Sequence, residues 1–229
     1  MKVSILVCVL TLGAGAAPLR AADVIEAPSA WPDTWVARLE ALALLESFHA
    51  GLLSHDSATE SLQSWCAAHA LAVPANITAT RMNSTEKPAS AEVRHQLGVS
   101  PTEPVRYRRV ELHCGHRVLS EADNWYVPAR LTADMNRILE NTDTPFGRAV
   151  QDLHFRRRTL SSTLLWAPLA EGWESRPAAD PPGAGALVIP HEVLRTTAVL
   201  MRPDGSAFSE VVETYTAELL AFTPPALPR

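Results

Sequence analysis

The stretch that decides the fold reads Val105-Arg-Tyr-Arg-Arg-Val-Glu-Leu-His-Cys-Gly-His-Arg-Val-Leu-Ser-Glu-Ala-Asp-Asn-Trp-Tyr-Val-Pro128. Its two halves, Val105–Cys114 and Arg117–Val127, are rich in valine, leucine, tyrosine and tryptophan, and Gly115-His116 separates them. Two such runs around a short glycine-containing turn are typical of a β-hairpin. Proline lacks the N–H that would continue a ladder, so the second strand ends at Pro128.

Helices precede this hairpin in the sequence. Apolar residues recur at helical spacing from Thr34 to Ser54, which predicts a long first helix. The capping-box pattern Ser57-Ala-Thr-Glu60 predicts a second helix near 58–70. A short strand over Ile77 to Met82 and a short helix over Ser90 to Leu97 complete this half of the chain.

The remaining elements predict the fold class. We expect a helix at Leu131–Leu139, a helical turn at Thr144–Gly147, a strand at Leu153–Trp166 and a closing hairpin of Val193–Met201 with Ala207–Leu219. Strands and helices do not alternate one for one. The pattern therefore predicts a single α+β domain, an antiparallel β-sheet with flanking helices.

The first residues are typical of a secretory signal peptide. Met1-Lys2 is followed by an apolar run to Leu12 and by small residues at Gly13–Ala17. We therefore predict a secreted or periplasmic protein with no integral membrane segment once the signal is removed. The predicted segments are a signal peptide (1–22), a lead-in with the start of the first helix (23–44), the domain (45–220, with a long Pro-, Gly- and Ala-rich loop at 167–187) and a tail (221–229).

Composition and charge exclude several classes of function. The 229 residues carry a formal net charge of −5, which gives no electrostatic reason to bind nucleic acid. Lys2 and Lys87 are the two lysines, and the sequence contains no Gly-Lys-Ser/Thr phosphate loop, no GxGxxG and no GxSxG. We expect a monomer that uses no cofactor.

The cysteines are candidates for a disulfide, and cysteine and histidine together are candidate metal ligands. Cys8 falls within the predicted signal peptide, which leaves Cys66 and Cys114. In an oxidising compartment these two residues can pair, but their spacing does not decide whether they do. The run His113-Cys114-Gly115-His116 lacks a second ligand pair with zinc-like spacing, so we predict no metal site.

Arginines on the first hairpin are candidate anion-binding groups. Alternation along a strand places Arg106 and Arg108 on one face and Arg109 on the other. Either these side chains form a solvated strand face, or one of them turns inward and holds a carboxylate bidentately. A second run, Arg156-Arg157-Arg158, points to both faces of its strand, and there we expect a surface role.

Carboxylates on the last strand are the second candidate group. Glu210 lies among Phe208, Val211 and Val212, and Glu213 follows on the same strand. A glutamate in an apolar strand either faces water at an edge or is buried with a partner. If Glu210 is buried, its pKa should be raised.

Several motifs, in order, resemble the chorismate pyruvate-lyase family, whose fold is shared with ligand-binding domains of bacterial transcription regulators. They cover roughly residues 45–220. The matching motifs are Leu52-Leu-Ser-His-Asp-Ser57, the hairpin from Arg109 to Pro128, Asp143-Thr-Pro-Phe-Gly-Arg148 and Phe208-Ser-Glu210.

The resemblance implies a reaction and site residues. The family converts chorismate to 4-hydroxybenzoate and pyruvate for quinone synthesis, in a buried site without metal or cofactor. By resemblance, Arg109 would bind a substrate carboxylate, with Arg108 as the alternative one place away in register. The backbone N–H of Phe146 would contact a carboxylate, and Glu210 would act at the ring oxygen.

Two departures from the family favour a second hypothesis. Ala58 stands where the best-known members carry methionine over the ligand. Chorismate is made in the cytoplasm, whereas the N-terminus predicts export. The alternative is therefore an exported, non-catalytic binding module for a small aromatic or carboxylic acid, and a third hypothesis is an interaction domain without a small ligand.

Overall fold

One six-stranded sheet organises the molecule. The computed structural model describes residues 30–82, 86–175, 183 and 185–224. The strands are β1 (Ile77–Arg81), β2 (Arg106–Cys114), β3 (Arg117–Tyr126), β4 (Arg156–Leu164), β5 (Glu192–Met201) and β6 (Ala207–Thr216). Their order across the sheet is β1-β2-β3-β6-β5-β4, and every neighbouring pair is antiparallel. The predicted α+β fold, with helices around an antiparallel sheet, is confirmed.

Four of the five helices in the described part of the chain begin at a short polar side chain that caps them. They are α1 (Trp35–Ser54), α2 (Ala58–Ala68), α3 (Ala91–Leu97), α4 (Ala133–Asn141) and α5 (Phe146–Ala149). The side chains of Thr34, Ser57, Ser90 and Thr132 each accept a hydrogen bond from a backbone N–H in the first turn of α1 to α4. Gly98, with φ +60°, ends α3 in the left-handed conformation that glycine adopts readily.

Two strands are shorter than predicted, for local reasons. The strand predicted from Leu153 begins at Arg156, because a 3-10 helix ends at Leu153 and His154 adopts a left-handed conformation with φ +49°. The last strand ends at Thr216 instead of Leu219, because the Thr216 hydroxyl caps a 3-10 helix by accepting from the Glu218 N–H.

The two faces of the sheet carry different partners. The inner face packs under α1 and α2, where Leu45, Phe48 and Leu62 meet Val110 and Tyr215 in the main core. On the outer face, α3 lies over part of the sheet. Its Val93 and Leu97 pack against Trp125 and Val127.

The lead-in is part of the fold from Trp31 onward. Trp31 is fully buried, and its indole N–H donates to the carbonyl of Leu220, 2.8 Å away. The 167–187 loop is tied to this segment, because Leu187 donates to the Trp31 carbonyl and Gly183 donates to the Asp33 carboxylate. The predicted signal peptide lies outside the described residues, as does the tail beyond residue 224.

Cys66 and Cys114 form a disulfide, which settles the question that their spacing left open. Their Cα atoms are 6.1 Å apart, within the usual range for a bridge. The bond joins α2 to the end of β2. None of the helices described has the length and apolar character needed to cross a membrane.

Candidate ligand-binding cavity

A small cavity lies between the inner face of the sheet and the first residues of α2 and α5. Its volume is about 40 Å³. Apolar side chains form most of its walls, namely those of Val110, Leu112, Ala122, Phe146, Phe155 and Val211. Polar groups are contributed by Ser57, Thr59, Arg108, Asn124, Arg157 and Glu213.

Arg108 is the unusual group in this cavity. The residue is 4% exposed, and its Nη2 donates to the Thr144 carbonyl at 3.2 Å. Its Nε and Nη1 are buried and have no acceptor among the residues that the structure describes. Burial, followed by the nearby charge of Arg81, lowers the pKa of Arg108 to about 10, so the guanidinium stays protonated at neutral pH. A buried cation with unused donors is costly unless an acceptor arrives from outside the chain.

The second arginine of the cavity is already neutralised. Arg157 forms an ion pair with Glu213, and the two side chains are 4% and 6% exposed. The same Glu213 oxygen accepts from the Thr196 and Tyr215 hydroxyls, each at 3.1 Å. Burial lowers the pKa of Arg157, but the Glu213 carboxylate outweighs burial and the pKa is raised. The surface role predicted for Arg156-Arg157-Arg158 is therefore wrong for Arg157, whereas Arg156 and Arg158 are exposed.

Aromatic rings form one wall of the cavity. Phe146 and Phe155 line it. Behind them lies the fully buried Phe208, whose ring centroid is 6.4 Å from that of Phe146 and 6.0 Å from that of Phe155. Tyr126 packs on the other side of Phe146 with centroids 5.6 Å apart. The wall offers flat apolar surface next to a cation.

One wall of the cavity is a close approach of α2 and α5. A Cβ atom on Gly147 would lie 3.1 Å from the Thr59 hydroxyl and 3.2 Å from the Ser57 hydroxyl, so a larger residue would crowd both. Just before α2, the Asp56 carboxylate accepts the backbone N–H of Arg157 at 2.8 Å. The start of α2 is thereby held close to β4 as well as to α5.

The four predicted site residues do not meet in one place. Arg108 and Phe146 line the cavity, whereas Arg109 projects from the outer face. The Arg109 side chain is 41% exposed and pairs with Glu121 at 3.0 Å, with Asp123 slightly farther away. Strand alternation explains the difference, because neighbouring residues point to opposite faces. The buried arginine is thus Arg108, the one-place alternative in register.

Glu210 also lies on the outer face. It pairs with Trp125 of β3 and Val199 of β5, in the region that α3 covers. It is 5% exposed, and its Oε2 has no hydrogen-bond partner among the described residues. Burial, and then the charge of Glu92, raise the pKa of Glu210, as expected for a buried carboxyl. The expectation that Glu210 shares a pocket with the buried arginine and Phe146 is not met.

Three of the polar residues that line the cavity from the sheet, Asn124, Arg157 and Glu213, were not predicted there from the sequence. The sequence pattern gave no sign of Asn124, favoured a surface role for Arg157, and indicated Glu213 beside Glu210 without a position in a site. One signal was present in the sequence: Glu213 shares its face with Val211 and Tyr215 by alternation. No group of three or more His, Cys, Asp or Glu suited to a metal ion occurs within the described part of the chain.

A sequence relative now gives the chain a family. The uncharacterized protein y4mC of Sinorhizobium fredii (strain NBRC 101917 / NGR234) is 49% identical over 211 residues, which cover 92% of this chain and 89% of that protein. The chain belongs to the y4mC family. No family model matches the sequence of this member.

Solved structures with a similar arrangement come from transcription regulators. PhnF from Mycobacterium smegmatis has a TM-score of 0.48 and 15% identity, covering 77% of the y4mC-family chain and 71% of PhnF. The effector domain of PhnF has a TM-score of 0.46 and 13% identity, covering 76% and 95%. A ligand-binding domain attributed to a GntR-family regulator of Bordetella bronchiseptica has a TM-score of 0.40 and 13% identity, covering 62% and 83%.

Proposed function

We propose that this protein is a binding module for a small carboxylic acid, whose carboxylate is held by Arg108. The observation that carries the proposal is the buried Arg108 guanidinium, which has two donor nitrogens without an acceptor in the described structure. A carboxylate supplies two acceptor oxygens and the compensating charge in the planar geometry that arginine prefers. Its binding would remove the cost of the isolated buried charge.

The walls and the volume restrict the ligand further. The rings of Phe146 and Phe155 favour an apolar or aromatic body next to the carboxylate. A water molecule needs about 10–15 Å³ of such space, so a cavity of about 40 Å³ holds roughly three waters. The carboxylate of a ligand fits this space, and an aromatic ring requires Phe155 or Phe146 to move aside.

We also propose that the protein is exported. The support is the disulfide between Cys66 and Cys114, since such bonds persist in oxidising compartments and are rare in the cytosol of mesophiles. The N-terminal sequence supports the same location.

Chorismate lyase activity is a second candidate function. One arrangement favours it: Arg108, Phe146 and Glu213 line the same cavity, so a cation, an aromatic wall and a carboxylate are brought together. In this candidate function, Glu213 takes the role that the family resemblance gave to Glu210, three residues earlier on β6. Its carboxylate would stand at the ring oxygen of the substrate. Arg108 would bind a substrate carboxylate while the enolpyruvyl group departs.

The binding proposal is tested by isothermal titration with acetate, benzoate and 4-hydroxybenzoate on the wild type, Arg108→Gln and Arg109→Gln. Loss of charge-assisted hydrogen bonds, each worth about 1.5–3 kcal/mol, should weaken binding at least tenfold in Arg108→Gln. Arg109→Gln is the matched control, because it removes the neighbouring arginine from the other face and should bind normally. Equal affinities in all three proteins would refute the role of Arg108.

The lyase candidate needs a separate assay. Purified protein is incubated with chorismate, and 4-hydroxybenzoate and pyruvate are followed by chromatography. Lyase activity predicts product above the spontaneous rate, and its loss in Glu213→Gln. Carboxylate binding by the wild type without any product formation would leave the binding module and exclude the lyase.

A further inference from the structure

The disulfide joins two walls of the cavity. Cys66 lies on α2, whose N-cap Ser57 and first residues Ala58 and Thr59 line the cavity. Cys114 ends β2, the strand that supplies Arg108 and Val110 to the cavity. The bond is therefore a covalent tie between the helix that covers the ligand position and the strand that carries the buried cation.

The anchored part of α2 helps to hold residues 57–59 in the cavity wall. Among the described residues, the hydrogen bonds of residues 57–61 stay within the helix. The polar ties from α2 to the rest of the molecule lie near Cys66: the Gln63 amide bonds to Ala75 and Ile77, and the Trp65 indole donates to the Leu219 carbonyl. Asp56, just before α2, bonds to β4 and not to β2. The disulfide thus sits within the stretch that docks α2 onto the sheet.

Access to the sulfur atoms sets the order of events. Cys66 and Cys114 are both 0% exposed, within the main core. An oxidant reaches these thiols only while α2 is undocked. The bond therefore forms before or during docking of α2 and afterwards is shielded from reductants.

We propose that ligand binding by this protein is conditional on oxidation of Cys66 and Cys114. This inference rests on the proposed function of the cavity. The reaction is thiol–disulfide exchange: a partner disulfide accepts two electrons and becomes two thiols, and the two cysteine thiols become one disulfide with no net loss of protons. The step places the protein after a disulfide-donating oxidant, and it adds the covalent restraint that holds α2 against β2.

The test compares benzoate affinity in oxidised and reduced protein, both in a Cys8→Ser background so that the thiols studied are Cys66 and Cys114. Reduced protein is prepared by unfolding with a dithiol reductant and refolding in its presence. We expect at least tenfold weaker binding than in the oxidised form, and the same loss in the double variant Cys66→Ser/Cys114→Ser. Equal affinity of oxidised and reduced protein would overturn the inference.

A second measurement separates local from global effects. Hydrogen exchange should show that amides of α2 lose protection in the reduced protein while those of β2 and β3 keep it. Uniform loss across helix and sheet would overturn the inference that the bond acts by holding α2 over the cavity, because oxidation would then support the whole fold. Failure of oxidised wild type to bind any carboxylate would instead refute the proposed function.

Discussion

Arg108 is a buried arginine without an ion-pair partner among the described residues, and it should bind ligand at the expense of stability. Replacing Arg108 by methionine keeps most of the volume and removes the charge together with its unused donors. We expect the free energy of unfolding without ligand to rise by about 1–3 kcal/mol, the usual cost of an unsatisfied buried group. Urea unfolding measures this change. Arg109→Met serves as control and should change stability by about 1 kcal/mol or less, because its pairs are partly exposed. A large loss of stability in Arg108→Met would mean that a partner within the chain already satisfies the guanidinium.

Glu210 should make stability depend on pH in the direction opposite to that of an ion-paired carboxylate. Because burial raises the pKa of Glu210, the folded chain holds this proton at pH values where the unfolded chain has lost it. The contribution of Glu210 is therefore greatest below its unfolded pKa and falls as pH rises through its folded pKa. We expect Glu210→Gln to stabilise the protein at pH 7 relative to the wild type, with a smaller gain near pH 4. Urea unfolding of both proteins across this range checks the sign, and a gain that does not grow with pH would contradict it.

At the scale of elements, a buried ion pair connects the edge strand β4 with the central strand β6. Arg157→Leu would leave the Glu213 carboxylate buried without its cation, and we expect a loss of about 3–5 kcal/mol in unfolding free energy. The double variant Arg157→Leu/Glu213→Leu should recover much of that loss, because no unpaired charge remains. Arg156→Leu, on the exposed face of the same strand, is the control. If the double variant is as unstable as Arg157→Leu, the loss does not come from an unpaired Glu213 charge, and this explanation is wrong.

The helices and strands were predictable because their sequence signals are local. The site was not predictable, since its composition depends on the register of the strands. Capping side chains such as Ser57 and Ser90 mark helix starts within one residue. Whether Arg108 or Arg109 is buried depends on which face of β2 meets the core, and a shift of one residue exchanges the two. The pair of Arg157 with Glu213 joins residues 56 positions apart, and no local pattern records this distance.

At the scale of the whole molecule, the lead-in and the end of the domain form one contact. Trp31→Ala would remove a fully buried ring and its hydrogen bond to Leu220, and we expect a loss of about 3–5 kcal/mol. Thermal and urea unfolding measure this loss. Val188 is 72% exposed and follows Leu187, which bonds to Trp31, so Val188→Ala should leave the free energy of unfolding nearly unchanged. A Trp31→Ala protein with wild-type stability would show that the contact between Trp31 and Leu220 is dispensable.

The position of β6 in the sheet also affects how the chain can be synthesised. This strand is the last to be made, yet it lies between β3 and β5 and joins the two halves of the sheet. The ribosome must release nearly the whole polypeptide before those halves can associate, and pairings this distant in sequence form slowly. The six-stranded sheet therefore cannot be completed until synthesis is almost finished, whereas β1, β2 and β3 can pair earlier.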